Sequence, residues 1–151
     1  MEVVTLPSAS EAETIDHGEY FAAMLVRGDV VALDGDLGAG KTEFVKGICR
    51  YFNVEDLVTS PTFSIINLYD GTTTDGDPMK IYHVDLYRID SEAELANVGF
   101  DDMVFAHDAI KLIEWPTKAG RLLPSRRWDV MISSDPTIED RREIRITPPT
   151  P

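Results

Sequence analysis

The sequence has a single cysteine, few basic residues and no long apolar run. One cysteine, Cys49, excludes a disulfide within the chain and a metal cluster built from several cysteines. No apolar run approaches the roughly 20 residues that a membrane-spanning helix needs. No basic segment precedes an apolar stretch in residues 1–13. We therefore expect a cytoplasmic protein that does not contact a membrane.

Acidic residues outnumber basic ones by 27 to 14, which gives the chain a net charge of −13. Proteins that bind nucleic acid directly gain much of their binding free energy from basic side chains that meet phosphates. An acidic chain is poorly suited to that task, although the surplus of acid also favours solubility whatever the mechanism. Any role with nucleic acid is therefore expected to pass through a partner protein.

The stretch VVALDGDLGAGKTEFVKGI, residues 30–48, has an apolar start, a glycine-rich middle and an amphipathic end. Its apolar start predicts a buried strand, while Phe44, Val45 and Ile48 recur at helical spacing. The glycines therefore lie between a strand and a helix, which is where proteins often hold phosphate. Cys49 falls on the same helix and is expected to be a small core residue.

Glycine spacing in this stretch matches a Walker A loop, Gly-x4-Gly-Lys-Thr, at residues 35–42. Glycine permits backbone conformations that turn successive N–H groups toward phosphate oxygens. Lys41, at the start of the helix, supplies a full charge to the β- and γ-phosphates, and Thr42 offers a hydroxyl to Mg²⁺. The loop predicts nucleotide binding; a glycine-rich turn that only joins strand to helix is the alternative.

Two carboxylates end apolar strand patterns further along the chain, Asp85 in IYHVDLY and Glu114 in AIKLIEW. A carboxylate after a run of buried strand residues is well placed at the sheet edge where α/β proteins bind ligands. Either residue could hold Mg²⁺, directly or through water, as the second acidic group that P-loop chemistry needs. A strand-end acid that faces solvent is the alternative for each.

The segment TSPTF, residues 59–63, combines a proline turn with three hydroxyl groups. Such a segment is suited to sensing a γ-phosphate or a metal-bound water. A loop held by local bonds between hydroxyls and backbone is the alternative.

Histidines at positions 17, 83 and 107 have no ligand spacing, and we interpret all three as structural. Tyr82 and Tyr87 alternate with polar residues at strand spacing, which favours packing in the core or on a sheet face. Arg88 follows the same strand and is open to two interpretations, an arginine finger or a surface salt bridge.

Periodicity and turn residues predict an α/β fold of three layers, with a mixed central sheet that includes an antiparallel hairpin. One domain is expected over residues 1–147, with a disordered tail at 148–151. The predicted strands are 3–6, 30–34, 63–69, 80–87, 109–114, 128–134 and 142–147. The predicted helices begin at the capping-box serines Ser8 and Ser91 and at Lys41, and the first two end near Val26 and Gly99.

Four ordered motifs give the chain a specific resemblance to the TsaE family, also called YjeE. They are GDLGAGKT (35–42), SPTF (60–63), YHVDLYR (82–88) and EWP (114–116). The resemblance covers most of the chain, roughly residues 6–146. It implies a fold similar to that of P-loop NTPases. It also implies a small bacterial ATPase needed to make N6-threonylcarbamoyladenosine at position 37 of tRNAs that read ANN codons.

The resemblance also implies roles for particular residues with ATP and Mg²⁺ as ligands. It makes Thr42 and Glu114 the groups at the metal, Asp85 the Walker B-like residue important for hydrolysis, and Trp115 an aromatic beside the nucleotide. Two further positions, Glu11 and Arg141, match places where the family contacts the base and ribose. The residues that wrap the phosphates are Asp36, Leu37, Gly38, Ala39, Gly40, Lys41 and Thr42.

The resemblance also implies which proteins this chain acts with. It implies that the protein acts on a complex of TsaB and TsaD, whose TsaD subunit is the threonylcarbamoyl transferase, and meets tRNA only through that complex. We expect a monomer that is a weak ATPase alone, is activated by its partners and docks on them near residues 59–63 and the P-loop.

Two other functions fit the same loop. A small-molecule kinase would need an acceptor site and a basic lid, for which the short stretch 121–127 is the only candidate. A nucleotide-sensing scaffold would bind ATP without essential turnover.

Overall fold

The computed structural model describes residues 1–59 and 65–150, which form a seven-stranded sheet flanked by helices. Across the sheet the strand order is β1-β7-β6-β2-β5-β4-β3. The strands are β1 (Val4–Ser8), β2 (Val30–Asp34), β3 (Ile66–Thr72), β4 (Pro78–Asp85), β5 (Ala109–Glu114), β6 (Trp128–Ser134) and β7 (Arg142–Thr147). The helices are α1 (Glu11–Ala22), α2 (Lys41–Tyr51), α3 (Glu92–Asn97), α4 (Phe100–Val104) and a 3₁₀ helix (Pro116–Leu122).

Parallel strands make up the centre of the sheet. β2 pairs in parallel with both β5 and β6, and β4 pairs in parallel with β5. Because helices cover such strands on both faces, β2 and β5 are near-continuous apolar runs in the sequence. Antiparallel pairs complete the sheet at both sides, among them the hairpin of β3 and β4. The predicted mixed α/β fold is confirmed.

Two hydrophobic cores lie on opposite faces of the sheet. Neighbouring residues of β5 alternate between them, with Leu112 in the first core and Ile113 in the second. The first core packs α1 and α2, whose Phe21 and Phe44 rings lie 5.5 Å apart, and it contains the buried Cys49 that the sequence predicted. The second core packs α3, α4 and the 3₁₀ helix. The helices therefore form the two outer layers of a three-layer fold.

Helices α1 and α2 approach each other through two glycines. A β-carbon at Gly47 would lie 1.9 Å from the carbonyl oxygen of Ile15, and one at Gly18 would lie 2.2 Å from that of Phe44. Both distances are far shorter than any ordinary contact, so this approach requires glycine on both helices. An ion pair at the surface adds to it, since Arg50 of α2 contacts both Asp16 and Glu19 of α1. The close packing fixes α2, whose first residues belong to the Walker A loop.

Helix α1 begins two residues later than the capping box at Ser8 predicted. Ser10 is the N-cap and accepts a hydrogen bond from the N–H of Glu13 at 3.1 Å, whereas Ser8 ends β1 and is buried. The Ser-x-x-Glu spacing occurs twice here, so the pattern alone selects neither serine. The helix also ends at Ala22, before the predicted end at Val26.

The hairpin tip and the segment after Gly99 also differ from expectation. The strands of the hairpin reach Thr72 and begin again at Pro78, so the tip is shorter than the predicted turn over 70–79. Polar residues such as Asp70 are tolerated there because β3 is an edge strand with one side in water. Gly99 adopts φ 74° and, besides following α3, is the N-cap of α4, which the sequence analysis missed.

The described residues test two sequence-based expectations only in part, one about membrane-spanning helices and one about the segment 59–63. Within 1–59 and 65–150, no helix has the length and apolar character needed to cross a membrane. Of the segment 59–63, the structure describes Thr59 alone, so the prediction of a γ-phosphate sensor at Ser60–Phe63 lies outside the described residues.

Candidate nucleotide-binding site

The Walker A loop joins the end of β2 to the start of α2. Gly35, Gly38 and Gly40 adopt φ values of 148°, 78° and 110°, which L-residues with side chains rarely adopt. At Gly35 a β-carbon would also lie 2.4 Å from the carbonyl oxygen of Ile132. Gly40 is the N-cap of α2 and provides no side-chain hydrogen bond. The first N–H groups of α2 therefore have no side-chain cap, as an anion site at a helix N-terminus requires.

Lys41 lies folded over this loop with only 5% of its surface exposed. Its Nζ donates a hydrogen bond to the carbonyl oxygen of Gly35 and lies 3.7 Å from the centre of the Trp115 ring. Burial lowers the pKa of Lys41, and the carboxylates of Glu114 and Asp85 oppose that shift. The ammonium group thus lies between the loop and two acids, where it can meet both phosphate and the groups that surround a metal.

The acids come from neighbouring parallel strands. Glu114 pairs with Asp85 on one side and with Leu33 on the other, so the carboxyl ends of β4, β5 and β2 adjoin one another. Glu114 is 3% exposed, whereas Asp85 is half-buried and accepts a hydrogen bond from the N–H of Tyr87 at 2.9 Å. The structure therefore brings together the two carboxylates that the sequence singled out separately.

Asp34 and His83 belong to this cluster; the sequence analysis did not single out Asp34, and it interpreted His83 as structural. Asp34 ends β2 and accepts a hydrogen bond from the N–H of Gly35 at 2.8 Å. The Nε2 atom of His83 lies 2.5 Å from Oε2 of Glu114, and both side chains are buried. His83 precedes Asp85 by two residues on β4 and so shares its sheet face, a signal that the sequence offers once the strand is identified.

Trp115 sits beside Lys41 on a strained backbone. It has φ 57° and ψ 52°, a left-handed conformation that costs a residue with a side chain roughly 1–2 kcal/mol. Its ring lies 5.0 Å from that of Tyr87, which is 45% exposed and lies beyond the end of β4. Tyr87 is therefore neither in the core nor on a sheet face, the two places where we had expected it. Strain of this kind persists where the surroundings require it, and here it holds the indole over Lys41.

Arg142, and not its neighbour Arg141, contacts the Walker A loop. Its Nε donates to the carbonyl oxygen of Ala39 at 2.9 Å and its Nη2 to that of Gly38 at 3.2 Å. A narrow cleft beside these contacts is lined by Ser10, Glu11, Thr14, Gly38, Ala39, Gly40, Glu43, Asp140 and Arg142. Glu11 therefore lies next to the loop. Arg141 is exposed and lines a second cleft by β1 and β6, which Arg142 also lines.

The donor set fits Mg²⁺ with a nucleotide. Mg²⁺ commonly binds through one or two carboxylates, phosphate oxygens and retained waters, not through an all-protein cage. The described residues hold no group of three or more His, Cys, Asp or Glu side chains able to bind a metal by themselves. They do hold Glu114 and Asp85 near Lys41, and the half-buried Thr42 in the first turn of α2. Phosphate would supply the remaining ligands.

Replacing Arg142 tests the contact with the loop. We expect Arg142→Ala to weaken nucleotide binding about tenfold, because charge-assisted hydrogen bonds of roughly 1.5–3 kcal/mol that order the loop are lost. Arg141→Ala, the matched control, should stay within about twofold of wild type. Titration with a fluorescent ATP analogue measures both. A larger loss in Arg141→Ala would show that the contact implied by the family resemblance is the important one.

Comparisons with known proteins show which family the chain resembles in sequence and in fold. The family profile described as "Threonylcarbamoyl adenosine biosynthesis protein TsaE" matches residues 8–144. The tRNA threonylcarbamoyladenosine biosynthesis protein TsaE of Bacillus subtilis is 39% identical over 136 residues, which cover 89% of this chain and 79% of that protein. The protein of the same name from Treponema pallidum is 33% identical over 139 residues, 92% of this chain and 96% of that one. The crystal structure of Bacillus subtilis YdiB superimposes with a TM-score of 0.78 at 30% identity, over 99% of this chain and 87% of that one.

Proposed function

Because this chain belongs to the TsaE family, which takes part in threonylcarbamoyladenosine biosynthesis on tRNA, we propose that it binds and hydrolyses ATP in support of that modification. One observation carries the proposal. Lys41 lies buried over a loop with the Walker A sequence, next to Glu114 and Asp85 at the ends of adjacent parallel strands. Phosphate, metal and water each have a candidate partner within that cluster.

We assign phosphate binding to the Walker A loop and the first residues of α2. The backbone of residues 36–40 and the uncapped N–H groups of α2 would bind the β- and γ-phosphates, and Lys41 would exchange its hydrogen bond to the carbonyl oxygen of Gly35 for one to a phosphate oxygen. Arg142 stabilises the conformation of the loop by donating hydrogen bonds to the carbonyl oxygens of Ala39 and Gly38. Glu11 lines the narrow cleft beside the loop, and we assign to it the contact with the base and ribose that the family resemblance implies.

Thr42 and Glu114 would hold Mg²⁺, and Asp85 would act on it directly or through water. When bound, the ion would supply positive charge to the phosphate oxygens. The chain's own part is to orient that site: Asp85 is fixed by the N–H of Tyr87, and Glu114 is fixed from inside the sheet. Both carboxylates can accept hydrogen bonds from the water that attacks phosphorus.

Hydrolysis by the protein alone is proposed to be slow. A supplied arginine accelerates P-loop hydrolysis by about 10³–10⁵. Arg142 is unsuited to that role, because its guanidinium donates to the carbonyls of Gly38, Ala39 and Arg141. We assign the activating group to a partner complex, TsaB with TsaD, which docks near the Walker A loop and residues 59–63; the exposed Arg88, which the sequence leaves open as an arginine finger, is the alternative. The net charge of −13 fits contact with tRNA through that complex, in the cytoplasm.

Asp85→Asn tests the division between binding and chemistry. The variant should bind ATP within about threefold of wild type, since Lys41 and the loop are untouched, but lose hydrolysis by about 10²-fold or more. Isothermal titration and a phosphate-release assay measure the two quantities. If wild type binds ATP tightly and releases no phosphate with or without partners, the protein is a nucleotide sensor. If it transfers phosphate to a small acceptor, it is a kinase.

A further inference from the structure

His83 and Glu114 form a buried pair beneath the proposed nucleotide site. The His83 side chain is 0% exposed and that of Glu114 is 3% exposed, and their Nε2 and Oε2 atoms lie 2.5 Å apart. A carboxylate removed from water in this way requires a donor to compensate its lost hydration. His83 supplies that donor from the neighbouring strand β4. The pair therefore links the strand that carries Asp85 to the strand that ends in Glu114.

The position of the ring proton follows from the contacts. The carboxylate of Glu114 can only accept, so the short contact requires the proton on Nε2 of His83. Its Nδ1 atom is buried and has no hydrogen-bond partner among the residues described. A buried acceptor without a partner is tolerated more readily than a buried N–H without one. Burial and contact thus favour the same tautomer, with the proton on Nε2.

The ring has little freedom to move. His83 lies between core residues of the sheet, pairs in register with Leu112 of β5 and has its ring 6.1 Å from that of Tyr69 on β3. With Oε2 engaged by this fixed ring, Glu114 keeps one orientation and leaves Oε1 to face other groups. Glu114 is also the acid that most strongly opposes the lowering of the Lys41 pKa, which places its charge close to the ammonium group.

We propose that His83 is a positioning residue, whose Nε2–H fixes the carboxylate of Glu114 in the orientation that serves Mg²⁺. The proposal rests on the function proposed above and concerns its Mg²⁺ site. Partners that orient a metal-binding group typically change metal affinity or activity by 10–100-fold when they are replaced. His83 acts through Glu114 and touches neither phosphate nor metal.

Two variants separate positioning from packing. His83→Met introduces an apolar side chain of similar length that has no hydrogen-bond donor. His83→Gln instead provides a side-chain N–H near the position of Nε2. Nucleotide affinity is measured with and without Mg²⁺ by titration of a fluorescent ATP analogue. In His83→Met the Mg²⁺-free affinity should stay within about twofold of wild type, while the gain produced by Mg²⁺ falls about tenfold. His83→Gln should recover most of that gain at similar melting temperature.

Nitrogen NMR of the histidine rings supplies a readout that needs no nucleotide. Wild type should show the Nε2–H tautomer at His83, and Glu114→Gln should alter that signal. A proton on Nδ1, or an equal loss of the Mg²⁺ effect in both His83 variants, would overturn the positioning role and leave the proposed function standing. If the wild-type protein bound nucleotide equally well with and without Mg²⁺, the proposed function itself would be overturned, and with it the positioning role.

Discussion

Gly47→Ala is expected to destabilise the protein by about 3 kcal/mol and to lower Tm by roughly 6–12 °C. Helix propensity alone predicts the opposite sign, since alanine is favoured over glycine inside a helix by about 1 kcal/mol. The added methyl group would lie 1.9 Å from the carbonyl oxygen of Ile15, and a backbone oxygen cannot rotate away. Helices α1 and α2 must therefore separate, and the first core opens between them.

Cys49 offers a second readout of that opening. Burial raises the pKa of its thiol to about 12, so in the native protein it should scarcely react with thiol reagents at neutral pH. In Gly47→Ala, looser packing of α2 should make Cys49 react faster. Gly76→Ala is the control, because its methyl group meets nothing within 4 Å and only φ +86° opposes it. A Gly47→Ala protein more stable than wild type would show that the helices are not this close.

Lys41→Ala is expected to weaken ATP binding roughly 10- to 150-fold, the range that one charge-assisted hydrogen bond provides. The upper end is expected, because Glu114 and Asp85 remain in place and their charges then face the phosphates without a counter-charge. The fold should tolerate the change, since burial lowers the pKa of Lys41 and the charged side chain is therefore not stabilised by folding.

A lysine on the same helix provides the matched control. Lys46 is half-buried one turn further along α2 and lies outside the Walker A loop. Lys46→Ala removes the same charge, so it should leave ATP affinity within about twofold of wild type. Equal losses in the two variants would mean that the net charge of the protein, and not the position of Lys41, governs nucleotide binding. Isothermal titration at two ionic strengths distinguishes these outcomes.

The parts of the fold that the sequence predicts well are those set by local pattern. Strand β5 is a run of buried residues ended by Glu114, and the Walker A loop follows from glycine spacing between a strand and a helix. The contact of Gly18 with α2 and that of Gly47 with α1 were not predicted. Each depends on how two helices meet, and neither helix shows it alone.

The unpredicted part of the site depends on strand order and register. That Glu114 adjoins both Asp85 and Leu33 follows from β5 lying between β4 and β2, which strand patterns do not specify. The choice between Arg141 and Arg142 is a matter of one residue at the start of β7, and a shift of one residue along a strand turns a side chain to the opposite face. The motifs thus predicted which chemical groups belong to the site, whereas strand order and register determine which of those groups are in contact.

Steady-state ATP hydrolysis by the pure protein, alone and with TsaB and TsaD added, is the most direct test of the proposed function, with Lys41→Ala measured alongside. We predict a slow rate for the protein alone, a large increase with the partners present, and loss of both in the variant. A rate that the partners do not change, or one that survives in Lys41→Ala, would contradict a partner-activated ATPase at this site.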